Sequence, residues 1–276
     1  MDFRFARSYR GPVRLVVFDM AGTVVDYGSR APAGVFVEVF ARQNVTISLE
    51  QARGPMGMQK RDHIATLTRD PAIAAAWRDV HGQDVAEADI DRMYAEFIPL
   101  QIECLSQHDE VVPGALETFR ALRERGVKIA TTTGYNREMT DIVLAGMERQ
   151  GLVPDLALCA EDVPKGRPKP WLLFRCMEAL DVCPPEAVVK VGDTLPDIEA
   201  GLNAGVWTVG VVQTGNMLGL SQDEVEAMSA DELEELTEDG YAAMYGAGAH
   251  AVVNGVEDCP PVIEEFEALL ATGGRP

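Results

Sequence analysis

The sequence predicts an α/β protein with a parallel-sheet core and an inserted helical segment. Short apolar runs alternate with segments of helical period along most of the chain, which is typical of a parallel sheet covered by helices on both faces. The stretch 32–108 interrupts this alternation, because its apolar residues recur almost entirely at helical spacing. Compact domains rarely contain structureless loops of that length, so we expect this stretch to form an inserted helical domain.

Each element can be assigned from its own pattern. Apolar runs predict strands at 15–18, 127–131, 156–159, 188–191, 207–212 and 251–253. Segments of helical period predict covering helices at 115–125, 137–150, 171–180 and 197–203. The inserted stretch contains helical segments at 35–42, 49–53, 60–67, 73–80 and 88–104. Two capping boxes, which begin at Ser221 and Ser229, predict acidic helices near the C-terminus.

These elements divide the chain into two predicted domains. Residues 1–31 and 109–276 form the core domain, and residues 32–108 form the helical insert. Pro113 and Gly114 mark the return of the chain to the core, because this pair is typical of a turn.

Composition limits the kinds of partner and compartment. The formal net charge of −20 argues against nucleic acid or an anionic membrane surface as a partner, although a small anionic substrate responds to local charge in its pocket. The five cysteines are scattered and include no C-x-x-C pair, which favours reduced thiols over a disulfide framework or a zinc site. Residues 1–13 show no signal-peptide pattern, and no apolar run approaches membrane-spanning length. We therefore expect a soluble cytoplasmic protein.

The first candidate site residue is Asp19, which ends the apolar run 16–18. A buried strand of this kind delivers its last side chain to the carboxyl edge of a parallel sheet, where α/β proteins bind ligands. Gly22 lets the backbone approach a bound group, and Thr23 offers a hydroxyl and an N–H to an anion. Ala21, two residues after Asp19, has no side chain that transfers a proton.

A second acidic motif follows the strand-like run 188–191. Asp193 and Asp197 lie four residues apart at a strand-to-helix junction. Alone, they could be ordinary turn and helix-start residues. Together with Asp19 they form a set of hard oxygen ligands suited to Mg²⁺.

Two further segments suggest a phosphate site. Thr133, Gly134 and Tyr135 follow a strand-like run and precede a helix, where hydroxyl and backbone N–H groups can bind an anion. Arg167 belongs to the basic, proline-containing loop 165–170 and could hold a phosphoryl group. A solvated loop charge is the alternative, and it applies more to the two lysines of this loop than to Arg167.

The inserted stretch contributes a candidate nucleophile. Met56, Lys60 and His63 share one face if the segment is helical. Beside an apolar side chain and an imidazole, the pKa of a lysine can fall, and its neutral amine can then attack a carbonyl and form an imine. An ordinary surface lysine is the alternative from the residues alone.

Strand-end motifs in this order resemble the haloacid dehalogenase-like hydrolases, which have a Rossmann-like core and often a cap domain. Within that superfamily the chain is similar to the phosphonoacetaldehyde hydrolase family. The segments that carry the resemblance are FDMAGTVVDYG at 18–28, PMGMQKRDH at 55–63, TTGYNREM at 132–139 and DVPKGRP at 162–168. Met20 and Ser29 depart from the residues that this family often carries there.

The resemblance implies a role for each matching residue. Asp19 would attack phosphorus, and Lys60 would form a Schiff base with the substrate aldehyde. Asp19, the backbone carbonyl of Ala21, and Asp193 would bind Mg²⁺. Thr194 and Asp197 would support the metal ligands. His63 and Met56 would be catalytic residues that tune or position Lys60 and a water. The residues that would bind substrate are Thr133, Gly134, Tyr135, Arg167 and Gly57.

The expected reaction is Mg²⁺-dependent hydrolysis of phosphonoacetaldehyde to acetaldehyde and phosphate. A phosphomonoesterase or phosphomutase of the same superfamily is one alternative. It is disfavoured because such enzymes usually carry a second aspartate where this chain has Ala21. A non-catalytic binding scaffold is another, although retained carboxylates argue against it. The resemblance also implies a small-molecule phosphonate substrate and a homodimer formed through the cap domain.

Overall fold

Six parallel strands form a single sheet in the computed structural model, which describes residues 8–276. The strands are β1 (Leu15–Asp19), β2 (Lys128–Thr132), β3 (Leu156–Leu158), β4 (Val188–Gly192), β5 (Trp207–Val211) and β6 (Ala251–Val253). Their order across the sheet is β3-β2-β1-β4-β5-β6. The chain therefore builds outward from β1 in one direction and then, from β4 onward, in the other.

Helices occupy most of the connections. The five helices between β1 and β2 that precede the return to the core are α1 (Arg30–Arg42), α2 (Leu49–Arg53), α3 (Lys60–Leu67), α4 (Pro71–His81) and α5 (Glu87–Leu105). The remaining helices are α6 (Ala115–Glu124), α7 (Arg137–Arg149), α8 (Trp171–Ala179), α9 (Leu195–Ala204), α10 (Gln222–Glu226), α11 (Ala230–Gly246) and α12 (Cys259–Ala271). Short 3₁₀ turns lie at Ala160–Asp162, Pro185–Ala187 and Val256–Asp258.

The predicted α/β class and parallel sheet are confirmed. Each predicted strand coincides with an observed one to within a residue at either end. The main difference is at α1, which begins at Arg30, five residues before the predicted start at 35. The carboxylate of Asp26 accepts hydrogen bonds from the N–H groups of Arg30 and Ala31, so a side chain upstream of the apolar periodicity stabilises the first turn.

The strand β1 lies at the centre of the core. All five of its residues are buried, as expected for a central parallel strand with helices on both faces. Val16 and Phe18 pack into one apolar cluster, and Leu15 and Val17 pack into another on the opposite face. The first cluster continues into the helical segment, because it includes Phe36 of α1 and Phe97 of α5.

Helices α1 to α5 pack mainly on one another. Phe36 and Phe97 have ring centroids 4.6 Å apart and join α1 to α5, while Trp77 of α4 is also buried. The predicted boundary between 31 and 32 lies inside α1, since this helix already begins at Arg30. The division into a core and a cap domain stays a prediction.

Two expectations concern the ends of the chain and membranes. Within the described residues, no helix is both long enough and apolar enough to cross a membrane. The expectation that residues 1–13 carry no signal peptide falls partly on residues 1–7, which lie outside the described residues. The capping boxes at Ser221 and Ser229 are both formed, and they start α10 and α11.

The topology creates a crevice between β1 and β4. These neighbouring strands lead into connections that run in opposite directions along the sheet. Ligands bind at such switch points in open α/β sheets, outside the carboxyl ends of the strands. Asp19 ends β1 and Asp193 follows β4, so both carboxylates lie at this position.

Candidate active site

A small cavity lies where the carboxyl edge of the sheet meets the helical segment. Its volume is about 20 Å³, which is room for about one water molecule. The residues that line it come from both parts of the chain: Asp19, Ala21, Ser29, Pro32, Met56, Gly57, Lys60, Thr133, Gly134, Tyr135, Arg167 and Thr194. Most of the residues singled out from the sequence therefore share one site. His63, Asp193 and Asp197 are buried outside this lining.

Arg167 links two of the buried carboxylates. Its Nη2 atom lies 2.8 Å from Asp19 Oδ1, and its Nη1 donates to Asp197 Oδ1. Burial lowers the pKa of this guanidinium, but Asp19 and Asp197 raise it further, so the group stays charged. Its Nε atom has no hydrogen-bond partner among the described residues. Arg167 thus has a donor free for an anion, whereas Lys165 and Lys169 of the same loop are exposed.

The carboxylates form a candidate metal site. Oxygens of Asp19, Asp193 and Asp197 lie within 4.8 Å of one another, and all three residues are buried. Asp193 accepts hydrogen bonds from Thr23 Oγ1 at 3.1 Å and from the N–H of Asn216 at 2.8 Å. Burial, followed by the negative charges of Asp19 and Asp197, raises the pKa of Asp193 well above its usual value. A divalent cation would relieve this repulsion, so the donor set fits a hard metal ion.

Asp197 differs from Asp193 because cations already surround it. Lys190 Nζ lies 2.8 Å from Asp197 Oδ1, and the hydroxyl of Thr194 donates to Oδ2. Burial alone would raise the pKa of Asp197, but Arg167 and Lys190 lower it below its usual value. Asp197 is therefore ionised and held in place from several sides, as suits a residue that supports the site.

Gly22 allows the segment after β1 to approach Asp193. Its φ is +81°, and a Cβ atom at this position would lie 2.1 Å from Asp193 Oδ2. Any other residue would combine an unfavourable backbone conformation with a steric clash. The turn that carries Ala21 can therefore close against the acidic cluster only because position 22 is glycine.

Lys60 is buried at the first turn of α3. Only 6% of its surface is exposed, and Nζ lies 4.0 Å from Met56 Sδ. Nζ also lies 4.9 Å from the ring centroid of Tyr135 and 5.6 Å from that of Phe36. Burial lowers the pKa of Lys60 from 10.5 to about 8, with Asp19 opposing and Arg167 assisting this shift. The sequence-based expectation of a perturbed lysine agrees with this environment.

His63 lies behind Lys60. Its Nε2 is 2.8 Å from the backbone oxygen of Ala52, and its ring stacks on Phe36 with centroids 3.7 Å apart. Burial and the nearby charge of Lys60 lower the pKa of His63 well below its usual value, so the ring is neutral. Nδ1 has no hydrogen-bond partner among the described residues. Since Ala52 accepts from Nε2, Nδ1 is the unprotonated nitrogen.

Two glycines bring the helical segment into contact with the sheet. Gly57 has a φ of +90°, and a Cβ atom there would lie 2.2 Å from Thr194 Oγ1. A Cβ atom at Gly134 would lie 2.4 Å from the backbone oxygen of Met58. The two parts of the chain can approach this closely only while both positions lack a side chain.

The segment after β2 turns its polar groups toward the cavity. Thr133 Oγ1 accepts a hydrogen bond from the N–H of Tyr135 at 3.2 Å, which shapes the turn. Tyr135 is 2% exposed, and its hydroxyl has no partner among the described residues. Thr131, which belongs to the same threonine run, is buried away from the cavity.

Several residues in and around the site were not anticipated from the sequence. Pro32 lines the cavity, and the ring of Phe36 stacks on His63 and also faces Lys60 Nζ. Arg53 of α2 donates to Gly28 O at 2.9 Å and to Asn216 Oδ1 at 3.1 Å, which ties the helical segment to the core. None of these has a sequence signal of its own.

Lys190 also contacts the site, but it has a sequence signal, because it is a lysine inside an otherwise apolar strand run.

The two positions that depart from the family pattern, Met20 and Ser29, differ in their distance from the site. Met20 is buried in the apolar core, and Ser29 lines the cavity. Of these two residues, Ser29 is the one placed to contact a molecule in the cavity.

Comparisons with known proteins agree with this architecture. A family model described as haloacid dehalogenase-like hydrolase matches residues 13–205. A phosphonoacetaldehyde hydrolase-like protein from Syntrophobacter fumaroxidans is 45% identical over 275 residues, which covers 99% of each chain. A phosphonoacetaldehyde hydrolase from Hahella chejuensis is 43% identical and covers 100% of this chain and 94% of its own. The crystal structure of a phosphonoacetaldehyde hydrolase-like protein from Oleispira antarctica matches with a TM-score of 0.97 and 36% identity over the whole of both chains.

The fold, the strand-end carboxylates and the family match define an enzyme, a haloacid dehalogenase-like hydrolase. Within that class, near-full-length identity above 40% assigns the chain to the phosphonoacetaldehyde hydrolase family. The family resemblance inferred from the motifs is thereby confirmed.

Proposed function

We propose that this protein hydrolyses the phosphorus–carbon bond of phosphonoacetaldehyde, giving acetaldehyde and inorganic phosphate. The observation that carries the proposal is a desolvated lysine, Lys60, in the same cavity as Asp19 and Ala21. An amine suits an aldehyde, and a carboxylate suits a phosphoryl group. The names of the relatives support this substrate.

In the first step, the neutral amine of Lys60 attacks the aldehyde carbon, and loss of water leaves a protonated imine. A phosphorus–carbon bond resists cleavage because the departing carbanion is unstable. The imine supplies an electron sink next to that carbon. Met56, Tyr135 and Phe36 keep the amine in an apolar environment, which favours its neutral form.

In the second step, a carboxylate oxygen of Asp19 attacks phosphorus, and the phosphorus–carbon bond breaks. The electron pair of that bond moves into the imine and forms an enamine, while Asp19 becomes an aspartyl phosphate. Water then hydrolyses this phosphate and releases inorganic phosphate. Protonation of the enamine carbon and hydrolysis of the resulting imine release acetaldehyde and restore Lys60.

The carboxylates of Asp19 and Asp193 and the backbone carbonyl of Ala21 are the groups that would hold Mg²⁺. The ion would offset the repulsion between the carboxylates and an anionic phosphonate. Arg167 contributes a fixed positive charge from the protein itself, and its free Nε is available to a phosphoryl oxygen. Thr133 and Gly134 offer further polar groups that line the cavity.

Ala21 argues against a phosphomonoesterase or phosphomutase, because an alkoxide leaving group needs an acid that a methyl group cannot provide. The crowding of buried carboxylates argues against a binding scaffold. Their mutual repulsion destabilises the folded protein, and a scaffold without catalysis would gain nothing from it.

Reductive trapping tests the proposal directly. The enzyme is incubated with phosphonoacetaldehyde and sodium cyanoborohydride, and the adduct is located by peptide mass mapping. We expect one adduct on Lys60, no adduct in Lys60→Arg, and phosphate release by the native enzyme alone. Phosphate release from simple phosphate esters without any lysine adduct would overturn the assignment in favour of a phosphatase. Neither adduct nor phosphate release would favour the scaffold.

We propose further that residues 32–108 act as a cap domain that moves to admit the substrate. A phosphonate of several heavy atoms cannot enter a cavity of about 20 Å³ without such movement.

We also propose a cytoplasmic homodimer formed through residues 32–108. Leu49 of α2 and Val80 of α4 are about half exposed and offer apolar surface for a second copy. Light scattering on the purified protein measures the oligomeric state.

A further inference from the structure

Lys190 is a charged residue in the interior of the sheet. It lies in the central strand β4, opposite Val17 of β1, and only 1% of its surface is exposed. Its stem packs against α9, where a Cβ atom at Gly201 would lie 3.3 Å from Lys190 Cβ. Burying an ammonium group costs several kcal/mol unless it is well paired, and an apolar residue would fill this position without that cost. The lysine therefore calls for a specific explanation.

The contacts of Lys190 connect it to the site. Nζ lies 2.8 Å from Asp197 Oδ1 and 3.0 Å from the backbone oxygen of Val191. Arg167 donates to the same Oδ1 atom of Asp197 and, through its other terminal nitrogen, to Asp19. These four side chains form a buried row of alternating charge: Lys190, Asp197, Arg167 and Asp19. Lys190 is the member farthest from the cavity, which it does not line.

We propose that Lys190 is a positioning residue that orients Arg167 by holding Asp197. With Lys190 present, Asp197 has a second cation and engages Arg167 through Nη1 only. The Nη2 and Nε atoms of Arg167 then remain for Asp19 and for the phosphoryl group. This proposal rests on the phosphoryl-binding role of Arg167 in the proposed function.

Competition between ion pairs explains why the lysine matters. A guanidinium and a carboxylate prefer a two-point, parallel arrangement when no second cation pairs with the carboxylate. The hydroxyl of Thr194 also donates to Oδ2 of Asp197, but it is neutral and does not balance the charge. Without Lys190, the charge of Asp197 would be balanced by Arg167 alone, and the guanidinium would turn its second nitrogen from Asp19 toward Asp197. Arg167 would still be present and charged but directed away from the phosphoryl group.

The affinity for inorganic phosphate reports the orientation of Arg167, because a guanidinium directed away from the phosphoryl group contributes less to binding. We would measure binding of inorganic phosphate to the Mg²⁺-loaded enzyme by calorimetry for Lys190→Met and for Lys190→Gln, the second keeping a polar head without charge. Both are expected to weaken phosphate binding about tenfold, as coupled buried charges typically do. Lys190→Arg should recover most of the affinity. Lys128→Met is the control, because Lys128 is a partly buried lysine of β2 in the same sheet, and it donates to a backbone oxygen, that of Leu180, rather than to a carboxylate.

A double-mutant cycle tests whether the effect passes through Asp197. In an Asp197→Asn background, we expect Lys190→Met to change phosphate affinity less than twofold, because the carboxylate it held has gone. The proposal is overturned if Lys190→Met and Lys190→Gln bind phosphate as the native enzyme does. It is equally overturned if Lys128→Met causes the same loss, or if the loss persists in full beside Asp197→Asn.

Two separate measurements, trapping at Lys60 and phosphate binding, distinguish a failure of this proposal from a failure of the proposed function. Trapping at Lys60 reports the aldehyde chemistry, and Lys190→Met should leave the yield of adduct at saturating substrate within about twofold of native, since the amine is untouched. Failure of trapping in the native enzyme would sink the phosphonate substrate and leave the phosphate measurements valid. Unchanged phosphate binding in the variants would reject the role of Lys190 and leave the substrate intact.

Discussion

At the scale of single residues, the central feature is the lowered pKa of the Lys60 amine. Desolvation is the largest cause of its lowered pKa, with the cation Arg167 adding to it and the carboxylate of Asp19 opposing it. With a pKa of about 8, roughly a tenth of the side chain is neutral at pH 7, far more than for a solvated lysine. The imine chemistry proposed for Lys60 is therefore accessible near neutral pH.

This pKa predicts the pH dependence of adduct formation. Because the protonated amine cannot attack, the rate of cyanoborohydride-trapped adduct at limiting aldehyde should rise about tenfold per unit at pH values well below about 8 and level off above it. Rapid-quench mass spectrometry of the Lys60 peptide measures the rate. A rate that continues to climb steeply beyond about pH 9 would show that the amine is solvated. Lys60→Arg gives the background.

At the scale of elements, two connections hold the helical segment against the sheet. The turn between α2 and α3 approaches the start of α9 at Gly57, and Arg53 at the end of α2 reaches the core loop that contains Asn216. The N–H of Asn216 in turn donates to Asp193. The position of the helical segment is thus linked by direct contacts to the carboxylates of the core.

The close approach at Gly57 predicts a selective loss of activity in Gly57→Ala. The added methyl would clash with Thr194, and the positive φ would be strained besides. We expect kcat/KM to fall about 100-fold, the effect of displacing a catalytic group by about 1 Å. Steady-state assays and thermal unfolding measure the two effects.

Gly82→Ala is the matched control. Gly82 ends α4 with a φ of +71°, and a Cβ atom there would meet nothing within 4 Å. Both variants should lower the free energy of unfolding by about 1–2 kcal/mol through backbone strain, but only Gly57→Ala should lose activity. Equal activities in the two variants would show that this contact does not matter for closure.

At the scale of the whole molecule, the overall charge and the local charge at the site have opposite effects on the binding of anions. The chain carries a net charge of −20, yet Lys60, Arg167 and Lys190 are all buried around the three carboxylates. The overall charge keeps polyanions away, while these cations and a metal ion would make the crevice receptive to a small anion. The fold achieves this by gathering side chains from distant parts of the sequence.

Repulsion within the carboxylate cluster predicts that metal binding stabilises the whole protein. Adding Mg²⁺ should raise the melting temperature, with a gain of about 2.7 kcal/mol when its concentration is 100 times Kd. Asp193→Asn should lose most of this gain. Calorimetry with and without a chelator measures the effect.

Asp26→Asn is the control for that experiment, because Asp26 is a buried aspartate outside the cluster. It should be less stable than the native protein, since the carboxylate no longer caps α1, but it should keep the full gain on adding Mg²⁺. If Asp193→Asn also keeps the full gain, the metal does not bind at these carboxylates.

Much of the molecule could be predicted from local patterns. Apolar runs such as 188–191 located the strands, and the parallel arrangement followed from the helices between them. Because parallel strands end at one edge, motifs that follow strands were expected to converge, and Asp19, Thr133 and Arg167 do line one cavity. Apolar periodicity alone places the start of α1 too late, because the carboxylate of Asp26 stabilises the first turn from outside the helical pattern.

The fold class, the family and the identity of the chemical groups follow from local properties of the sequence: strand periods, strand-end motifs and residue types. The charge and orientation of those groups depend on the tertiary structure. Arg167 and Asp19 are 148 positions apart, and the burial of Lys60 depends on Phe36 and Tyr135, which belong to different elements. Burial and charge pairing depend on packing between distant segments, and no single segment of the sequence determines that packing.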